Sequence, residues 1–355
     1  MNAPGDWPQY ELVPLPAQPH GVPWPTEQWP TGELVAHDQG AVEALVAQAF
    51  ADQPHDDLAL TLAVVVIQGG RLVLERYGPD TDADTPLVSW SMAKSITQAA
   101  LGALVLDGAI DPHERAPVPE WAEPTDPRSS IGTADLLAMR SGLHWVEDYV
   151  DPDASTCLRM LFGDERADMA HYAASLPLES PVGSEFVYSS GTTNILSRLC
   201  GDALGGGEAA MARHLAERIF GPLGMTSADP RFDDAGTFVG SSYVWATARD
   251  FARFGLWYLR DGMWDGRRLL PEGWADRARR LLSFDDEGTG YGGQWGVEAD
   301  SGRGVFWAHG YEGQSITVVP GADTVIVRLG KTPAESAPAL QQWRWDLLEA
   351  LTGTG

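Results

Sequence analysis

The run Leu58 to Ile67 is apolar at almost every position. A stretch that short, with no polar alternation, reads as a strand covered on both faces. Gly69-Gly70 interrupts it, and Arg71 to Arg76 follows with polar and apolar residues mixed, the pattern of a β-hairpin. Upstream, Val42, Leu45, Val46 and Phe50 recur at helical spacing within Asp38 to Ala51, which predicts an amphipathic helix. From Ser91 to Leu106 the apolar positions Ile96, Ala99, Ala100, Ala103 and Leu104 predict a small-residue helix suited to burial on most sides, and Gly108 stops it.

Shorter helical patterns, broken by Pro and Gly, cover Thr133 to Met139, Arg166 to Ser175, Thr193 to Ala203 and Glu208 to Phe220. Longer ones return at Ala248 to Asp261 and Pro271 to Leu282. Strand character then resumes in Gln294 to Ala299, Gly304 to Ala308, Gln314 to Val319 and Thr324 to Leu329, before a closing helix from Ala337 to Leu351. These strands are short and separated by Gly or Pro turns, as antiparallel neighbours require.

The predicted fold class is therefore α/β of the α+β kind: an antiparallel sheet flanked by N- and C-terminal helices, with a mostly helical insertion. Residues 1–36 contain eight prolines and are expected to form an irregular arm pinned by its tryptophans. The sheet unit is expected from 37–90 and 246–355 and the helical unit from 91–245, with the active site in the cleft between them.

Composition narrows the function. Fifty acidic against 24 basic residues give a formal charge of -26, which repels phosphate backbones and anionic lipid. Neither nucleic acid nor a membrane surface is an expected partner. The N-terminal stretch has no basic and apolar leader pattern, and no apolar run approaches the roughly 20 residues of a membrane span, so the expected compartment is cytoplasmic. Cys157 and Cys200 form no CxxC, the eight histidines show no His-x-x-x-His, and Gly205 to Gly207 lacks the lysine of a phosphate loop. No metal or cofactor is expected.

One compositional fact points to chemistry. Of the 24 basic residues only Lys94 and Lys331 are lysines. A chain that uses arginine for ordinary positive charge keeps lysine where an amine able to give up its proton is useful. Lys94 closes the tetrad Ser91-Met92-Ala93-Lys94 at the start of the most apolar predicted helix. At i and i+3 the two side chains share a face, so the amine can take the hydroxyl proton of Ser91. The free N–H groups of a helix start favour negative charge on an attacked carbonyl oxygen. Tyr188, in Tyr188-Ser189-Ser190, stands at the end of an extended segment before the next helix and is the candidate for passing a proton between nucleophile and leaving group.

These segments, together with Val64 to Arg76, Leu136-Leu137-Ala138-Met139-Arg140-Ser141-Gly142-Leu143, Gly221-Pro222-Leu223-Gly224-Met225 and Ala248 to Gly255, resemble the class C β-lactamase and penicillin-binding-protein-like serine hydrolases over about residues 55–332. The resemblance implies a serine acyl-enzyme, with the Lys94 and Tyr188 positions sharing the general-base and general-acid tasks. Glu147-Asp148-Tyr149-Val150-Asp151-Pro152 is similar to the 6-aminohexanoate-dimer hydrolase branch and its esterase relatives, which implies that Tyr149 contacts substrate.

The sequence departs from the family at its third motif. Ala308-His309-Gly310 stands where a cation usually leads, so recognition of carboxylate-bearing β-lactam or D-Ala-D-Ala substrates loses its usual partner. Lys331-Thr332-Pro333 imitates that motif in letters but follows the next strand. His309 and Gly310 are expected beside substrate, Trp307 in an apolar wall, and Gln314 or a neighbour as a second backbone donor beside that of Ser91. The expected function is hydrolysis of small acyl esters, with amidase activity on linear or cyclic amides as the alternative. A non-catalytic relative that binds a peptide or acyl compound is the reading from another class. The expected partner is a small-molecule ester or amide, and the oligomeric state is left open.

Overall fold

The computed structural model describes residues 11–51, 55, 57–285, 288–298 and 302–353. Its main sheet has eight strands. In chain order they are β1 (Leu60–Gln68), β2 (Arg71–Tyr77), β3 (Ser283–Phe284), β4 (Gly290–Tyr291), β5 (Gly296–Val297), β6 (Phe306–Gly310), β7 (Gln314–Val319) and β8 (Thr324–Lys331). They lie side by side as β2-β1-β8-β7-β6-β5-β4-β3, every pair antiparallel. Gly69 and Gly70, with φ of 54° and 72°, make the tight turn between β1 and β2, a conformation that glycine adopts without penalty.

Five helices matter for the site: α1 (Gln39–Phe50), α2 (Ala93–Leu106), α3 (Ser190–Ala203), α4 (Ala248–Leu259) and α5 (Ala337–Thr352). β1 shows why its sequence lacks alternation. Ala63, Val65 and Ile67 enter the larger core, which also holds Phe251 and Phe254 of α4. Val64 and Val66 enter a second core on the other face, with Val42 and Val46 of α1 and Trp343 and Leu347 of α5. Both faces are covered, so neither tolerates polar side chains. Gly255 lets α4 lie close to the sheet, since a Cβ there would stand 2.6 Å from Val325 Cγ1 and 2.7 Å from Ile316 Cγ2.

Most of the remaining helices lie between β2 and β3. The helix Thr156–Phe162, capped by the Ser155 hydroxyl accepting from Leu158 N at 2.9 Å, was not anticipated. The expected start at Thr193 moves to Ser190, because Ser189 caps α3 by accepting from Thr192 N at 2.9 Å. The expected helix Pro271 to Leu282 shrinks to Trp274–Arg279, since Gly273 is left-handed and Arg280 extended. The expected strand Gln294 to Ala299 shrinks to β5, with Ala299 outside the described residues. Residues 11–36 of the arm are irregular apart from a bridge between Thr31 and Leu72. Trp24 packs on Trp264 with ring centroids 5.0 Å apart, and Trp29 lies under the Arg253 guanidinium. No helix among the described residues is long and apolar enough to cross a membrane.

Candidate active site

Ser91 is placed by a rigid turn between two small strands and α2. Leu87–Val88 pairs with Val244–Ala246. Just after it, fully buried Ser89 donates its backbone N–H to Val244 O at 2.9 Å and accepts Val244 N–H on its hydroxyl at 3.0 Å. Trp90 then takes φ of 44°, a left-handed conformation that costs a bulky residue about 1–3 kcal/mol and persists where surroundings enforce it. Its indole is held by Glu312 Oε2 at 3.2 Å and by the rings of Tyr243 and Tyr311. Ser91 follows in a single 3₁₀ turn, Trp90–Met92, that runs into α2. The predicted α-helix thus begins two residues later than Ser91, and the serine sits ahead of its first turn.

Lys94, in that first turn, is 1% exposed. Its Nζ lies 2.9 Å from Ser91 Oγ, 2.9 Å from Ser190 Oγ and 3.0 Å from Ser241 O. The amine is therefore fully enclosed by three oxygens, one of them the candidate nucleophile. Each of the other two is fixed in turn. Asn194 Oδ1 of α3 accepts the Ser241 N–H at 3.1 Å, and Ser190 donates its hydroxyl proton to Glu147 Oε1 at 2.5 Å.

Tyr188 meets Lys94 differently from the expectation. The ammonium position lies over its ring face, 4.8 Å from the centroid, while the phenol hydroxyl makes no hydrogen bond among the described residues. The ring is held edge-on by Tyr291 at 5.9 Å. The phenol oxygen is therefore available to a ligand in the cleft instead of being tied into a triangle with Ser91 and Lys94. Tyr149, from the loop after Trp145, donates its hydroxyl to Glu147 Oε1 at 2.7 Å and leans on Tyr311 with centroids 5.1 Å apart. Burial and the neighbouring Glu147 carboxylate push its phenol well above the usual tyrosine range, so it remains a proton donor at neutral pH.

Ser91, Lys94, Tyr149 and Tyr188 all line one cleft of about 840 Å³, which Trp307, His309 and Gly310 also line. Gly310, at the end of β6, is packed against the serine turn: a Cβ there would fall 2.3 Å from Ser89 O and 3.1 Å from Trp90 Cβ. His309 stacks on Trp307, centroids 5.3 Å apart. Burial and the nearby Arg344 guanidinium hold it well below the usual histidine range, hence neutral. The Gln314 side chain is turned away from the cleft. It is 2% exposed, and its amide is spent on Tyr311 O at 3.0 Å and on both backbone groups of Gly330 at 2.6 and 3.0 Å. Lys331 is exposed at the end of β8 and does not line the cleft. The cation present in the cleft wall is Arg344 of α5, whose Nη2 reaches Gly313 O at 2.7 Å.

Sequence reasoning missed the roles of Glu147 and Ser190. Both stand inside segments that attracted notice, Ser190 two residues after Tyr188 and Glu147 two before Tyr149. A polar side chain repeated so close to candidate site residues was the available signal. What no spacing shows is that α3 begins at Ser190 and so presents its hydroxyl to both Lys94 and Glu147.

Comparison with known proteins agrees with this geometry. The Beta-lactamase family profile matches residues 46–351. The chain is 28% identical over 295 residues to a 6-aminohexanoate-dimer hydrolase of Paenarthrobacter ureafaciens, covering 77% of this chain and 73% of that protein. Among solved structures, a candidate 6-aminohexanoate-dimer hydrolase from Bacillus anthracis superposes with a TM-score of 0.73 at 22% identity, covering 92% of this chain and 89% of the other. A penicillin-binding protein homologue from Caulobacter crescentus gives 0.66 at 18% identity, covering 90% and 99%. The antiparallel sheet with its helical insertion is thus the fold these proteins share, and the chain belongs to the Beta-lactamase family of serine hydrolases.

Proposed function

We propose that the protein hydrolyses small acyl esters through an acyl-enzyme on Ser91. The observation that carries this reading is the 2.9 Å contact between the Ser91 hydroxyl and an amine buried to 1% exposure. In the first step Ser91 Oγ attacks the substrate carbonyl carbon and its proton passes to Lys94 Nζ, while the carbonyl π pair moves onto oxygen. The resulting oxyanion is stabilised by the Ser91 backbone N–H, with a second donor from the turn after Gly310, where β6 touches the serine turn. Collapse of the intermediate breaks the bond to the leaving group. That group leaves with the proton held on Lys94 Nζ, and the Tyr188 hydroxyl, which makes no hydrogen bond among the described residues, is free to donate to it in the cleft. Water then attacks the acyl-enzyme by the reverse path, releasing the acid and restoring Ser91.

Trp307 and the aromatic rings of Tyr149, Tyr188, Tyr291 and Tyr311 make the cleft suited to a short apolar acyl chain. A second reading, hydrolysis of a linear amide, is favoured by one observation. Tyr149 holds a proton-donating phenol at the cleft, and the chain is similar to a 6-aminohexanoate-dimer hydrolase. A cytoplasmic setting is proposed with it, supported by two buried cysteines that form no disulfide. The test is a parallel turnover panel of p-nitrophenyl acetate and butyrate, 6-aminohexanoate dimer, a D-amino-acid amide and nitrocefin, run with the native protein and with Ser91→Ala. The proposal expects the short esters to be cleaved fastest and every activity to vanish with Ser91. A native protein that is inert on the whole panel and equal to Ser91→Ala would leave the binding-protein reading standing.

A further inference from the structure

Glu147 accepts four hydrogen bonds from oxygen and nitrogen donors, has the Cys157 thiol beside it and beside Ser190, and makes no ion pair among the described residues. Oε1 accepts the Ser190 hydroxyl at 2.5 Å and the Tyr149 hydroxyl at 2.7 Å. Oε2 accepts the Ser190 backbone N–H at 2.9 Å and the Trp145 indole N–H at 2.5 Å. The indole and the peptide N–H can only donate, so they fix the carboxylate in place as an acceptor. Gly191 assists, because a Cβ there would fall 2.4 Å from the Trp145 ring, and only glycine lets the indole reach under the start of α3.

The consequence for Lys94 follows from counting protons. A serine hydroxyl has one hydrogen, and that of Ser190 is committed to Glu147. Toward Lys94 it therefore offers only lone pairs. The Ser241 carbonyl likewise offers only lone pairs. The hydrolase reading requires Lys94 in its uncharged form, with two N–H groups and one lone pair; in that form these two acceptors, at 2.9 and 3.0 Å, take both N–H groups. The lone pair is left facing the third neighbour, Ser91 Oγ at 2.9 Å. Without Glu147 the Ser190 hydroxyl would be free to donate to the amine and compete with Ser91 for that lone pair.

We propose that Glu147 is the positioning residue of the catalytic base: by holding the Ser190 proton it reserves the Lys94 lone pair for Ser91. The inference rests on the hydrolase reading above. Once Ser91 has given up its proton, Lys94 has three N–H groups and three oxygens around it, and Ser190 relays the negative charge of Glu147 toward the new ammonium. In this step the Ser91 Oγ–H bond breaks as an Nζ–H bond forms on Lys94, and Oγ bonds to the substrate carbonyl carbon; Glu147 and Ser190 keep their own covalent bonds.

The test is a double-mutant cycle with Glu147→Gln, Ser190→Ala and the pair, using p-nitrophenyl butyrate turnover, thermal melting and the rate of Ser91 phosphonylation by a fluorophosphonate. The glutamine keeps the shape but sets an amide N–H₂ against donors. Each single change is expected to lower kcat and the phosphonylation rate 30-fold or more with KM within threefold. The double variant should be no more than threefold worse than the slower single one, since both cut one relay. Ser190→Ala leaves Glu147 and its indole partner in place and so covers the case in which Glu147→Gln does not fold. Single-variant rates within fivefold of native, or losses that multiply in the pair, would overturn the proposal while leaving the hydrolase reading intact. A native protein that neither turns over ester nor is phosphonylated at Ser91 would remove both.

Discussion

Exchanging Lys94 for methionine deletes the amine while keeping an unbranched chain of similar length. Two quantities should then separate. Proton transfer by a positioned side chain contributes typically 10²–10⁴-fold. With the enclosed amine gone, kcat is expected to fall about 10³-fold, equivalent to about 4 kcal/mol of transition-state stabilisation. Stability should change far less. The three hydrogen bonds at 2.9, 2.9 and 3.0 Å are each worth about 1 kcal/mol net. Their loss is offset because a thioether, unlike an amine, pays almost nothing to leave water at a site 1% exposed. The melting temperature is thus expected within about 5 °C of native. Initial rates on p-nitrophenyl butyrate give kcat and KM, and circular dichroism gives the melt. A well-folded Lys94→Met protein whose Ser91-dependent kcat stays within tenfold of native would refute the assignment of this amine as the base.

Tyr188→Phe removes a hydroxyl with no hydrogen bond among the described residues, so its melt should be unchanged, while kcat for amide or poorly leaving alkoxide substrates falls more than for p-nitrophenyl esters; stopped-flow or steady-state comparison of the two classes checks this. Gly310→Ala places a methyl 2.3 Å from Ser89 O, and is expected to displace the serine turn and lower kcat/KM at least 100-fold, read from the same ester assay. Glu120 supplies the pH prediction. Burial alone would raise its pKa, but the hydrogen bonds from Arg198 and His171 outweigh it and hold the carboxyl at about 2. A depressed folded pKa gives stability that is present above the unfolded value near 4.5 and lost as pH falls toward 2. Glu120→Gln should therefore melt lower than native at pH 7, with the gap closing between pH 4.5 and 2 in a melt series.

How far the sequence carried this account differs from element to element. The unbroken apolar run of β1 was readable because both its faces are covered, and a hairpin turn of two glycines has few other uses. Ser91 and Lys94 were readable because lysine is so rare here that its placement one turn from a serine at a helix start carries weight. The short strands β3 and β4 were not, since two-residue pairings leave no periodicity to detect. The start of α3 was misplaced because Ser189, Ser190, Gly191 and Thr192 have weak helix propensity, and it is the Ser189 cap that draws them into the helix. Gln314 was expected to serve through its backbone N–H; what the sequence could not show is that its side-chain amide turns inward to satisfy the buried backbone of Gly330. Glu147 lay in plain sight, but only the three-dimensional meeting of its loop with α3 makes a surface-type residue into the partner of Ser190.

The most direct measurement is intact-protein and peptide mass spectrometry after treatment with a fluorophosphonate. One adduct per chain, located on the peptide containing Ser91, absent in Ser91→Ala and slowed at least 100-fold in Lys94→Met, is the predicted result. An adduct on another residue, or equal labelling of the native and Ser91→Ala proteins, would contradict the claim that a buried amine activates Ser91.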